Sequence, residues 1–91
     1  MVEYKVGQKI RVKSLEEIKD FHGENWNDMP GYSQSFLERN AGKVRTIKNI
    51  YNYRNIENME IHIEEDDDDF FIIREIKPYN VISIPKEMFE I

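Results

Sequence analysis

From its second residue the chain alternates between apolar and polar positions. Val2, Tyr4 and Val6 face one way and Glu3 and Lys5 the other; after Gly7-Gln8, Ile10 and Val12 alternate with Lys9, Arg11 and Lys13. A period of two puts the apolar set on one face of a strand and the charges on the other, so strands are expected over 2–6 and 9–13. Ser14 is followed three positions later by Glu17. That spacing lets the two side chains cap each other's backbone N–H, and it predicts a helix from Leu15 with Leu15, Ile18 and Phe21 on one face, ended by His22-Gly23. Residues 23–35 have no period and contain the turn pair Pro30-Gly31. They predict a loop pinned by Trp26, Met29 and Tyr32. A second short helix is expected from about Ser33 to Arg39 through Phe36 and Leu37, stopping at Asn40-Ala41-Gly42.

The second half is richer in strand signals. Residues 43–51 are β-branched and mixed in parity, since Val44 and Ile50 oppose Ile47 and Tyr51; a bulge near Asn49 reconciles them. Residues 52–58 predict a hairpin loop. Met59, Ile61 and Ile63 then alternate cleanly with Glu60, His62 and Glu64. Residues 65–69 form a turn, and Phe70–Ile76 is expected to return as a strand buried on both faces. Pro78-Tyr79-Asn80 breaks it; Val81, Ile82 and Ile84 make a last strand, and Pro85 opens a single helical turn. The fold expected is mainly β: one domain over residues 1–91, a small, partly open barrel of five to six short strands with one or two short helices inserted.

Composition narrows the chemistry. A chain of 91 residues buries only about 60–65% of its unfolded surface, so its core is thin. There is no cysteine, hence no disulfide, thiolate nucleophile or Cys-based zinc site, which suits a reducing compartment. The opening residues hold no long apolar run, so neither a signal peptide nor a membrane span is expected, and a cytoplasmic location follows. Net charge is −5 but unevenly divided: residues 1–54 carry ten Lys/Arg against seven Asp/Glu (+3), and residues 55–91 carry three against eleven (−8). The acidic half should repel nucleic acid and attract basic surfaces.

Three segments carry a family likeness. Val6-Gly7-Gln8-Lys9-Ile10-Arg11-Val12-Lys13-Ser14-Leu15-Glu16-Glu17 resembles the opening of small SH3-like barrel proteins of phages and other bacterial mobile elements. Ala41-Gly42-Lys43-Val44-Arg45-Thr46-Ile47 resembles their second signature strand, and Pro85-Lys86-Glu87-Met88-Phe89-Glu90 their closing turn. Together they span roughly a third of the chain. A tryptophan often precedes that closing turn; here Val81-Ile82-Ser83-Ile84 holds the place. The resemblance implies an SH3-like fold and a bacterial-host context but no activity, because fold does not fix function.

The candidate chemistry is that of binding. Glu64, Glu65, Asp66, Asp67, Asp68 and Asp69 form a run of six carboxylates. Such a run is a solvated hairpin tip guarding the adjoining FFII segment, a face offered to a basic partner in imitation of phosphate spacing, or a divalent-metal loop. The last lacks the spaced acids and central glycine of an EF-hand. Glu60 shares a strand face with His62 and Glu64, and neighbours on such a face stand about 7 Å apart, too far to share one ion. His22, beside Gly23, fits an exposed helix end.

Trp26 suits either a loop anchor or an interface anchor. Tyr51, Tyr53 and Arg54 suit stacking, hot-spot or loop-packing roles. The serines lack a nucleophile-elbow context, the glycines are isolated, and two histidines make no nucleophile–base pair, so no enzyme, cofactor or metal is expected.

The expected function is a non-catalytic protein docking Glu60, the run 64–69, Tyr53 and Trp26 on a basic host-protein surface. With the mobile-element context, such a surface includes the nucleic-acid groove of a defence nuclease such as a CRISPR effector. The alternative is a nucleic-acid-binding barrel using Lys9, Arg11, Lys13, Lys43 and Arg45, where Gly42-Lys43-Val44-Arg45 resembles the glycine-then-strand element of KOW-type barrels. A monomer, or a weak homodimer through strand edges, is expected.

Overall fold

The alternating segments around residues 10, 47 and 61 converge on one antiparallel sheet. A computed structural model describes residues 4–52 and 54–79. Strand β1 is Lys9–Val12, β2 Val44–Tyr51, β3 Glu60–Ile63 and β4 Ile76–Pro78, in the spatial order β3-β2-β1-β4. Three helices lie between β1 and β2: α1 Leu15–His22, α2 Asn25–Asp28 and α3 Gly31–Asn40.

Helices of eight, four and ten residues stand against strands of four, eight, four and three. The described part is therefore mixed α/β rather than mainly β. It holds four strands, not five or six.

The sheet curls on itself. Ile61 of β3 pairs with Ile50 of β2 on one side and, through an isolated bridge, with Phe71 on the other. Five residues later Ile76 lies against Val12, on the far edge of β1. Those five residues span at most about 17 Å, and less because they include a 3-10 turn at Ile73–Glu75. Crossing a flat sheet of that order takes four spacings, about 19 Å. A partly open, rolled sheet satisfies both.

Inside the roll the strand periods hold. Ile10, Val12, Ile47, Ile61, Ile63 and Phe71 are all 0% exposed. The bulge expected near Asn49 is present: Ile47 pairs with Ile63 and Asn49 with His62, leaving Lys48 unopposed. The extra residue brings both Ile47 and Ile50 to the core side. Helix α3 closes the roll, its buried Phe36 ring 4.7 Å from Phe71.

Several expectations change. Residues 4–6 are not strand, although Gly7 N–H donates to Ile47 O and Ile47 N–H to Gln8 O, extending the β1–β2 ladder backwards. The segment 23–35 is largely helical. Pro30 is not in a turn but at the N-cap of α3, its carbonyl accepting from Ser33 and Gln34 N–H. The Gln34 amide then donates to the carbonyls of Trp26 and Met29, satisfying the end of α2. The strand expected over Phe70–Ile76 is not formed as such: one bridge residue, Phe71, is followed by the 3-10 turn, and only Ile76 belongs to a strand, as the start of β4. The expected strand over 81–84 and the turn from Pro85 lie outside the described residues.

Candidate functional site

Four polar side chains are buried among the described residues: Ser33, Asn40, Thr46 and Glu75. Each bonds a titratable partner, and three of those partners belong to the acidic run. Ser33 Oγ donates to Asp69 Oδ2 at 2.7 Å. Asn40 Nδ2 donates to Asp66 Oδ2 at 3.0 Å and to the Phe36 carbonyl, while its Oδ1 accepts from Arg45 Nε at 2.7 Å. Thr46 donates to Glu65 through both its backbone N–H (2.9 Å) and its hydroxyl (2.9 Å).

The reason for this geometry lies in the ladder. Glu64 N–H donates to Thr46 O, where β3 runs out. The next bond to Thr46 N–H is made by the Glu65 side chain instead of a backbone carbonyl, so a carboxylate completes the strand edge. On α3, Ser33, Phe36, Leu37 and Asn40 recur at helical spacing on the inward face. Arg39, alongside them, takes Asp66 in a fork (Nε–Oδ2 3.0 Å, Nη2–Oδ1 3.2 Å) and Asp68 at 2.8 Å.

The run is thus a loop clasped from beneath by α3 and β2. Glu65, Asp66, Asp68 and Asp69 are bound to the chain's own donors; the side chains of Glu64 and Asp67 have no partner among the described residues. Burial opposes ionisation of Glu65, yet the Thr46 N–H and hydroxyl, with Lys9 nearby, outweigh it and hold the carboxyl below its ordinary value. Asp66 follows the same pattern: partial burial raises its pKa, and Asn40, Arg39 and the Asp68 N–H more than reverse that. The described residues contain no group of three or more His, Asp or Glu placed to hold a metal ion.

The remaining expected site residues are scattered. Glu60 stays on the outer face of β3, accepting from His62 at 3.4 Å and Asn52 at 3.3 Å. Trp26, in α2, is half-buried against the core with Lys19 Nζ 5.3 Å from its ring centroid. Tyr53 lies outside the described residues.

Most of the basic set is engaged: Lys9 Nζ with Thr46 Oγ1, Arg11 with Gly42 O and the Tyr79 ring, Arg45 with Asn40. Lys13 and Lys43 make no side-chain hydrogen bond or ion pair within the described residues.

His22 is not an exposed helix end. It is half-buried, its Nε2 2.9 Å from Oε2 of Glu75, a residue 4% exposed. Glu75 Oε1 also accepts Ile72 N–H at 2.9 Å, which folds the apolar run into its turn.

This pair lines a cleft of about 180 Å³ with Ser33, Asp69, Met29 and Leu37. Small-molecule sites usually need about 300 Å³ or more. The Ser33 hydroxyl is spent on Asp69 and the His22 Nε2 on Glu75, so no serine–histidine hydrogen bond sets up a nucleophile there. Sequence reasoning missed Ser33, Asn40, Thr46 and Glu75; only the helical spacing of Ser33 and Asn40 around Phe36 signalled a polar pair on a buried face.

Comparison with protein-family models, with curated proteins and with solved structures gave no match to this chain.

Proposed function

We propose that the chain is a non-catalytic binding protein, of phage or mobile-element origin, that docks its acidic loop on a basic surface of a host protein. The supporting observation is the division of labour within the run. Glu65, Asp66 and Asp69 fix the backbone from below, while the Glu64 and Asp67 side chains stand free among the described residues and the Asp68 side chain is 66% exposed. Charges held on an ordered loop lose little freedom on docking, so their attraction is not spent on ordering the loop. The partly open, rolled sheet of four strands supports a small barrel of the SH3-like kind as the scaffold. The expected host surface is one that ordinarily receives nucleic acid, such as the groove of a defence nuclease, because a row of fixed carboxylates presents the charge such a groove is built to accept.

The test is affinity capture from a bacterial lysate, with and without nuclease treatment. A protein recovered in both samples and released by about 0.5 M salt supports the proposal. No recovered protein overturns it. So does a signal that vanishes with nuclease, which would transfer the function to the face bearing Lys9, Arg11, Lys13, Lys43 and Arg45.

A further inference from the structure

Beside the acidic loop the outer face of the sheet carries a stripe of rings. Antiparallel pairing of Ile61 with Phe71 sends those two inward and sets His62 beside Phe70 on the outside. The His62 and Phe70 ring centroids are 5.4 Å apart, and Tyr51 of β2 meets His62 edge-on at 4.8 Å and 82°. Tyr51 is 52% exposed and Phe70 36%. Glu60 and Glu64 flank His62 along β3 and its continuation, so the stripe is bordered by carboxylates.

Three other partly exposed rings are already covered by the protein's own cations, while Tyr32, 65% exposed, lies on α3, apart from the carboxylate-bordered stripe of the sheet. Arg11 lies over Tyr79 at 5.5 Å, Lys19 over Trp26 at 5.3 Å and Arg74 over Phe21 at 5.3 Å. Among the described residues no cation lies over Tyr51 or Phe70. Of the two border acids, Glu60 holds only long contacts and Glu64 none through its side chain. Aromatic faces attract a cation, and a carboxylate beside them takes the edge of a planar guanidinium through paired N–H bonds. An ammonium matches only the charge and not the plane.

We propose that Tyr51 and Phe70, with Glu60 at one end and Glu64 about 13 Å away at the other, form a stripe that accepts arginine side chains, so that the basic protein surface is recognised through arginine in preference to lysine. This rests on the acidic-docking reading above and gives it a specific anchor.

The probes are octa-arginine and octa-lysine peptides, titrated into the intact protein by calorimetry, with a single-stranded RNA octamer as the third arm. Octa-arginine is expected to bind about three- to fivefold more tightly than octa-lysine, the scale of one exposed cation–π contact. Tyr51→Leu should remove that preference while leaving octa-lysine affinity unchanged. Glu64→Gln, which breaks no side-chain contact among the described residues, should weaken arginine binding more than lysine binding; Asp67→Asn should weaken both alike.

Equal affinity for the two peptides, or a preference that survives Tyr51→Leu and Glu64→Gln, overturns the arginine-accepting stripe and leaves acidic docking intact. No binding of either peptide, or binding of the RNA instead, overturns both.

Discussion

Asn40 is the side chain on which the loop and the helix depend together. It is 1% exposed and joins the Phe36 carbonyl, Asp66 and Arg45 in one network. Asn40→Ala strands the Arg45 Nε on one side and takes a donor from Asp66 on the other. A loss of about 2–3 kcal/mol is expected, read as a lower urea midpoint at unchanged m-value. Glu65 and Asp66 respond to pH as well.

Burial resists the charge on each, but their hydrogen bonds prevail and hold both below the ordinary values of 4.5 and 3.8. The unfolded chain therefore takes up these protons first. Their stabilisation is complete above those values and is lost as pH falls through the lower folded ones. In a urea series, Glu65→Gln combined with Asp66→Asn should lower the midpoint at pH 7 and flatten its fall below about pH 5. A double variant with an unaltered acid limb would show that the clasp contributes nothing to folding.

Elements whose signals were local came through from sequence, and those that depended on a distant partner did not. The capping box at Ser14 and Glu17 is formed, with Glu17 N–H donating to Ser14 Oγ at 3.1 Å and Ser14 N–H to Glu17 Oε1 at 3.3 Å. Ser14→Ala should destabilise by about 1 kcal/mol in thermal or urea unfolding. The bulge was legible because two apolar parities cannot share one face without an extra residue. Deleting Lys48 leaves Ile47 and Ile50 two positions apart, so a regular strand keeps both on the core side and in register with β3; the urea midpoint should fall far less than in Ile47→Ala, for which a loss of about 2–5 kcal/mol is expected.

By contrast, Phe70–Ile76 has every local mark of a strand. It turns instead because Glu75, bound by His22 from 53 positions away in sequence, accepts the Ile72 N–H. The start of α3 was hidden for another reason: Pro30-Gly31 is a turn pair by composition, yet proline tolerates the entry of a helix as well as a turn.

At the scale of the molecule, the acidic run was visible as a cluster of charge, but its division into bound and free carboxylates was not. The clasp is made by a helix and a strand whose bonding residues precede it by 19 to 36 positions, through short polar side chains with no composition signal of their own. The division separates two sets of acids with two separate consequences. Changes at Glu65, Asp66 or Asn40 should act on folding; changes at Glu64 or Asp67 should act on partners and leave the urea midpoint within about 0.5 kcal/mol of the parent.

The decisive measurement is paired: urea unfolding, and capture from nuclease-treated bacterial lysate, on a Glu64→Gln/Asp67→Asn protein beside the parent. Unchanged unfolding with loss of the captured protein is the expected result. Undiminished capture would contradict the docking of these carboxylates on a basic surface, and a marked fall in stability would contradict their standing free.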